Sequence, residues 1–243
     1  MKILIIGQGN VATNLQVAFA RQGIRVPMLS SWEGLETIDP SADVYIYAVK
    51  DIALRQVISK VHVAPRALHI HTSGTMPLSV FGADKQHRGV FYPFQTFSKS
   101  HLIEDFSTIP VFIEGNGIDD VSAIYSLAQT ITSRIFETTQ QERERLHVAG
   151  VFACNFANLM YAMASDMLAK TSIPFSVLLP LIEETASKVK SLTPDEAQTG
   201  PAVRKDYNVM AHHLDILKRE EESAIYGLLS NEIMRRHKAD KES

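Results

Sequence analysis

The stretch Lys2-Ile3-Leu4-Ile5-Ile6-Gly7-Gln8-Gly9-Asn10-Val11-Ala12 decides how the first half of this chain is read. Ile3 to Ile6 are consecutive aliphatic residues, the pattern of a strand buried on both faces. Two glycines follow with one residue between them, and the periodicity then predicts a helix over residues 10–22. The spacing G-x-G-x-x-A is informative only in this strand–turn–helix setting. There Gly7 permits the tight turn, Gly9 lets a pyrophosphate approach the backbone, and Ala12 lets the helix pack closely on the strand. The amides of Asn10 and Val11 would point at the phosphates, with the positive helix end behind them.

Working outward, short β-branched runs alternate with helical patterns, the signature of βαβ units in a parallel sheet. Strands are expected over residues 24–29, 43–49, 67–71, 89–94, 109–114 and 134–137, with a helix over 118–132. From Gln140 onward the pattern is helical throughout: 143–170, 174–191, a short piece after Thr193-Pro194-Asp195, then 203–218 and 220–237. The expected fold is therefore α/β, a doubly wound Rossmann sheet in residues 1–138 followed by an all-helical domain in residues 139–243.

The second strand bears on cofactor choice. An NAD site places Asp or Glu at its end to hold the ribose hydroxyls. Here it ends Met28-Leu29-Ser30-Ser31-Trp32, and hydroxyls remove the repulsion that would exclude a 2′-phosphate, which favours NADP over NAD. The expected cofactor contacts are Gly7, Gln8, Gly9, Asn10, Val11, Ser30, Ser31, Val49 and Thr72. Lys50 reads as a surface lysine and Asp51 as a helix N-cap. Ligands in an open parallel sheet lie beyond the carboxyl ends of the strands, which puts His71, Thr72 and Ser73 near the nicotinamide. His69 and His71 share a strand face and could chelate a metal, but no third ligand is spaced for it, and structural hydrogen bonding is the expected role. The run Tyr92 to Phe97 is expected to pack in the core or to floor a substrate pocket, packing being favoured.

On the long helix, His147, Cys154 and Asn158 fall within about 20° of one face, with Asn155 nearer 80°, at 100° per residue. His147 suits proton transfer near neutrality. Asn155 and Asn158 are close enough to share a ligand, whereas Cys154 reads as a small buried hydrophobe. Thr199-Gly200-Pro201 to Asp206 opens a helix whose amino end, with Arg204, would suit an anion. The candidate catalytic residues are thus His147, Asn155 and Ser73, and the candidate substrate contacts Asn158 and Arg204.

Composition narrows the partners. The 24 basic residues are outnumbered by 27 acidic ones, for a net charge of −3, and no basic run exists, so nothing favours nucleic acid. The lone Cys154 excludes an intrachain disulfide and fits a reducing compartment. No stretch is expected to approach the roughly 20 apolar residues of a membrane helix. No signal-peptide form is present at the start, so a cytoplasmic location is expected. Helices this apolar need more partners than a small bundle offers, which implies a homodimer.

Together the Gly7 to Val11 turn, His71-Thr72-Ser73-Gly74, Tyr92 to Phe97, His147 to Asn155 and Thr199 to Asp206 resemble one bacterial family, over nearly the whole chain. That family joins a Rossmann-like domain to a helical domain of unknown function, and its members are assigned as NADP-dependent oxidoreductases. It is similar to pyrroline-5-carboxylate reductase, prephenate dehydrogenase and the β-hydroxyacid and 6-phosphogluconate dehydrogenases, whose helical domains pair into dimers. The resemblance implies hydride transfer between NADP and a small anionic substrate. One departure stands out. The β-hydroxyacid dehydrogenases carry a catalytic lysine four residues before an asparagine on this helix, where this chain has Val151 before Asn155 and Cys154 before Asn158. The missing lysine leaves open a non-catalytic NADP(H)-binding sensor or scaffold.

Overall fold

Seven strands form one sheet in the order β2-β1-β3-β4-β5-β6-β7. They are β1 (Ile3–Ile6), β2 (Met28–Leu29), β3 (Val44–Tyr47), β4 (Leu68–His71), β5 (Arg88–Pro93), β6 (Val111–Gly115) and β7 (Ile135–Glu137). Between them run α1 (Asn10–Arg21), α2 (Asp51–Ser59) and α3 (Ile118–Gln129). The computed structural model describes residues 1–30, 35 and 38–239. The chain divides into two compact units, residues 1–155 and 156–243.

Strand alternation explains why helices cover both faces of the sheet. Ile3, Ile5, Val44, Ile46 and Ile70 point to one side, where they share a core with Leu15 and Phe19 of α1 and Ile124 and Leu127 of α3. Leu4, Ile6, Tyr45 and Tyr47 point to the other, against Leu54, Val57 and Ile58 of α2 and the 3-10 turn Leu78–Phe81. This is the doubly wound arrangement expected from the glycine turn.

Two details of the sheet differ from expectation. β2 is two residues long rather than six, because Pro27 has no N–H to give the ladder. The sheet is also not wholly parallel, since β6 runs antiparallel to β5. The connection 94–110 contains only the 3-10 turn Phe106–Thr108, whereas a parallel neighbour needs a crossover element, usually a helix. That connection is anchored on α1. Buried Asn14 donates from Nδ2 to the Ser98 carbonyl at 3.0 Å and accepts at Oδ1 from the Ile103 amide at 3.0 Å.

The helical half starts at Gln140, as the pattern indicates, with α4 (Gln140–Gly150), which begins ahead of the helix expected from residue 143 because Thr139 and Glu142 form a reciprocal capping box. α4 belongs to the first unit, where Arg143 is completely buried, ion-paired to Glu114 of β6 and donating to the Met76 carbonyl at 2.7 Å. A π-helical segment, Val151–Phe156, follows, and the second unit begins within it.

In that unit lie α5 (Ala157–Leu168), α6 (Leu179–Lys188), α7 (Pro194–Ala197), α8 (Pro201–Arg204), α9 (Tyr207–Ile216) and α10 (Glu220–Ala239). The single helix expected over 203–218 is two. Lys205 is left-handed, with φ 57°, and stops α8, after which Asp206 caps α9 by accepting from the Val209 amide. The expectation about membrane helices also needs correction. The helical run Gln140–Leu168 is 29 residues long and passes by length and composition, with a mean hydropathy of 1.3 over its most apolar 18-residue window. Its Ala, Met and Phe residues outweigh the interspersed Asn and Ser, and none of that window is buried within the chain.

Candidate functional site

The sheet register lines up the expected cofactor residues. Ile6 of β1 pairs with Leu29 of β2 and Tyr47 of β3, and Tyr47 pairs with His71 of β4. The next positions along the chain are therefore a row at the carboxyl edge: Gly7, Ser30, Ala48-Val49 and Thr72. The strand order reverses between β1 and β3, and the crevice at such a switch point is where ligands of open α/β sheets bind.

Gly7 and Gly9 do different work in that crevice. Gly7 has φ 125°, a left-handed conformation, and a Cβ there would overlap the Ala48 carbonyl. Gly9 has an ordinary φ of −78°, and a Cβ on it would meet nothing within 4 Å. Gly9 is the N-cap of α1, with no side-chain cap and no acidic residue in the first turn. The leading amides of a twelve-residue helix thus face open space with their dipole unneutralised, which is the seat a pyrophosphate requires. The residues present fit a dinucleotide. Exposed Gln8 and Asn10 flank the seat, Val11 packs on the core, and Val49 lies against Gly7. Ser30 is half-buried at the end of β2. Ser31 lies outside the described residues. The α2 N-cap is Lys50, not Asp51, whose Oδ2 instead accepts from the Thr75 hydroxyl at 2.7 Å.

Beyond β4, Thr72 is nearly buried and its amide donates to the Tyr47 carbonyl at 3.2 Å. Ser73 Oγ accepts from the amides of Thr75 and Met76, at 3.1 and 3.0 Å, so this hydroxyl organises its own turn. His71 is fully buried, accepts from the Ser73 amide at Nδ1 and stacks on Phe81. Burial, with the Arg143 charge nearby, pushes its pKa down to about 3. His69 bonds to the Tyr47 hydroxyl at 2.9 Å and stacks on Tyr45, and burial, aided by the Lys85 charge, lowers it to about 4. Both histidines are neutral structural groups near neutral pH, and no cluster of metal-ligating side chains forms among the described residues.

A pocket of about 180 Å³ lies in the first unit, lined by Tyr92, Phe94, Gln95, Thr96, His147, Gly150, Val151, Cys154 and Asn155. The last five stand at helical spacings i, i+3, i+4, i+7 and i+8, one face of the run through the π-helical segment, a distortion frequent at functional sites. His147 and Asn155 therefore meet in one cavity. Cys154 joins them and is exposed, not the buried hydrophobe expected. The Tyr92 hydroxyl and His147 Nδ1 are 3.0 Å apart. Desolvation pushes the Tyr92 phenol up to about 12, against the opposing pull of Arg143, so it is a neutral hydroxyl at physiological pH. Gly74 stands hard against this pair, since a Cβ there would lie 2.8 Å from His147 Nδ1 and 2.9 Å from the Tyr92 ring. Gly150 likewise lets α4 close on Phe94.

Sequence reasoning missed Tyr92 and Arg143. Tyr92 read as packing, although its place at the end of β5 was the signal. Arg143 stood only as the first residue of the expected helix 143–170, although it precedes His147 by one turn on the same face. Asn158 and Arg204 belong to the second unit. Arg204 is exposed at the last position of α8, a four-residue helix whose first residue is a proline without an N–H.

The family model described as "Domain of unknown function (DUF2520)" matches residues 109–233. Among solved structures, a Bacteroides fragilis protein named "putative NADP oxidoreductase" is 38% identical, with a TM-score of 0.90 over 96% of this chain and 98% of that one. A Thermotoga maritima protein shares the fold at 17% identity and TM-score 0.73, over 98% and 99% of the two chains. An imine reductase from Myxococcus stipitatus, solved with NADP+, does so at 12% identity and TM-score 0.57, over 100% and 94%. No curated protein matches. With a family match over half its length and a 38%-identical relative of nearly the same extent, the chain belongs to the DUF2520 family.

Proposed function

We propose that this protein is an NADP-dependent oxidoreductase that transfers a hydride between the nicotinamide and a small carbonyl or imine compound. The observation that carries the reading is the uncapped amino end of α1 at Gly9, on the same sheet edge as the turn that packs against Tyr92 and His147. The name of the Bacteroides relative supports the cofactor, as does Ser30 standing where NAD sites keep a carboxylate. Bound nicotinamide would supply the hydride chemistry, while this chain orients it, encloses the substrate and handles the proton. An anionic substrate rests on Arg204 alone, because the pocket lining has no charged Lys, Arg, Asp or Glu. The test is thermal-shift titration with NADPH and NADH in parallel, followed by loss of NADPH absorbance against 2-keto acids, neutral ketones and cyclic imines. A chain that binds neither nucleotide refutes the proposal.

The second reading is a sensor that binds NADP(H) without turnover, and Val151 and Cys154 in the lysine positions favour it. NADPH binding with no turnover of any panel member, and no effect of His147→Ala on affinity, would support it. We also propose that a second copy covers the helical unit, where Leu159, Tyr161, Met167, Val177 and Leu181 are exposed. Sedimentation of the purified chain as a monomer would refute that.

A further inference from the structure

We propose that the proton accompanying hydride transfer is delivered by the Tyr92 hydroxyl and replenished through His147, a two-residue relay that stands in for the absent helix lysine. The inference rests on the oxidoreductase reading above. Of the nine residues lining the pocket, only Tyr92, His147 and Cys154 carry a titratable proton, and Tyr92 and His147 are bonded to each other at 3.0 Å.

Their surroundings set the order of the relay. Tyr92 is half-buried, and its ring is fixed edge-on to Phe94 at 5.9 Å. Gly74 closes its other side. His147 is exposed, and its Nδ1 is taken up by Tyr92, which leaves Nε2 for solvent. The path therefore runs from solvent through His147 and Tyr92 to the substrate. The charged groups around Tyr92 are Arg143 on α4 and Asp51 at the start of α2, and Arg143 is itself paired with Glu114 on β6. Buried His71 on β4 also feels Arg143 and stays neutral.

The step balances. As hydride adds to a carbonyl carbon with its electron pair, the C=O π pair moves to oxygen, and that oxygen takes the Tyr92 proton. The phenolate takes the Nδ1 proton of His147 as its solvent-side Nε2 takes a proton from hydronium, and the imidazole returns to the Nδ1–H tautomer by exchange with solvent. The hydride would come from bound reduced nicotinamide, oxidised in the exchange. A carbonyl or a neutral imine needs this proton, whereas a preformed iminium does not, so the relay also points to the first two as substrates.

Tyr92→Phe keeps the ring and removes the hydroxyl. With NADPH and the best-turned-over ketone or imine, kcat should fall on the order of 10²-fold or more, with KM and NADPH affinity unchanged. His147→Gln should lower kcat and leave KM and NADPH affinity unchanged. A second readout needs neither cofactor nor substrate. In the free protein, the titration of His147 followed by ¹⁵N NMR should shift in Tyr92→Phe. A Tyr92→Phe variant that turns over like the wild type overturns the relay while leaving the oxidoreductase reading intact. A His147 titration indifferent to the substitution also overturns it. Failure of the wild type to bind NADPH is a separate result, one that refutes the function itself.

Discussion

Gly9→Ala separates the ligand-binding role of the glycine turn from its structural role. The native backbone at this position, φ −78° and ψ −174°, is open to any L-residue, and the added Cβ meets nothing within 4 Å. The unfolded chain loses freedom, a gain of about 0.4–1 kcal/mol, while alanine is a poorer N-cap than glycine by a similar amount, so the variant should stay within about 1 kcal/mol of the wild type. The new methyl group stands where a pyrophosphate would approach the α1 amides. Losing one charge-assisted hydrogen bond there costs about 1.5–3 kcal/mol, which is roughly a 10- to 150-fold rise in NADPH Kd. The assay pairs urea unfolding of the free protein with fluorescence titration of NADPH. Affinity equal to wild type would refute the placement of the phosphates. Destabilisation beyond about 1 kcal/mol would refute the claim that the space is open, because compatible sites do not behave that way.

Arg143→Met strands Glu114 and the Met76 carbonyl, and breaking a buried pair in this way should cost about 3–5 kcal/mol in urea unfolding, against a much smaller loss when Glu114→Gln accompanies it. Gly74→Ala drives a methyl group into the His147–Tyr92 pair, so turnover should fall while NADPH affinity holds, as steady-state kinetics beside titration will show. Acid sensitivity follows from His71 and His69, whose pKa values of about 3 and 4 in the folded chain lie below the ordinary histidine value of 6.5. Their contribution to stability is complete above pH 6.5 and is lost as pH falls toward 4 and 3, by up to about 1.4 kcal/mol per pH unit for each histidine. Urea midpoints at pH 7 and pH 5 should therefore differ in wild type, and the difference should shrink in His71→Phe.

The sheet was largely legible because its strands are continuous aliphatic runs, a strong signal when both faces are buried. β2 was overdrawn because hydrophobicity cannot see that Pro27 withholds an N–H. The antiparallel turn at β6 was missed because direction depends on what the connection 94–110 contains, and polar composition does not reveal that. In the site, helical spacing grouped His147 with Cys154 and Asn158 and set Asn155 about 80° away, whereas the pocket joins His147 to Cys154 and Asn155, and Asn158 lies in the second unit. Spacing also failed for Arg143, since a charged residue in a first helical turn looks solvated until Glu114, on a distant strand, is known to meet it. Ser73 was expected near the nicotinamide as a candidate catalytic residue, and its hydroxyl folds back onto its own turn, as serines in turns commonly do.

Asn14 links the two seats. It sits on the helix whose first turn would hold the phosphates, and it grips the backbone at Ser98 and Ile103. The same connection begins with Phe94, Gln95 and Thr96, which wall the pocket. Arg21, at the far end of α1, also holds the Ile103 carbonyl, at 2.6 Å. A strain imposed on α1 is thus handed to that wall through side-chain bonds. Whatever affinity a nucleotide gains or loses when the pocket is filled, the pocket's occupant must gain or lose by the same factor. In an Asn14→Ala protein that factor should move toward one, with Arg21 left as the remaining tie.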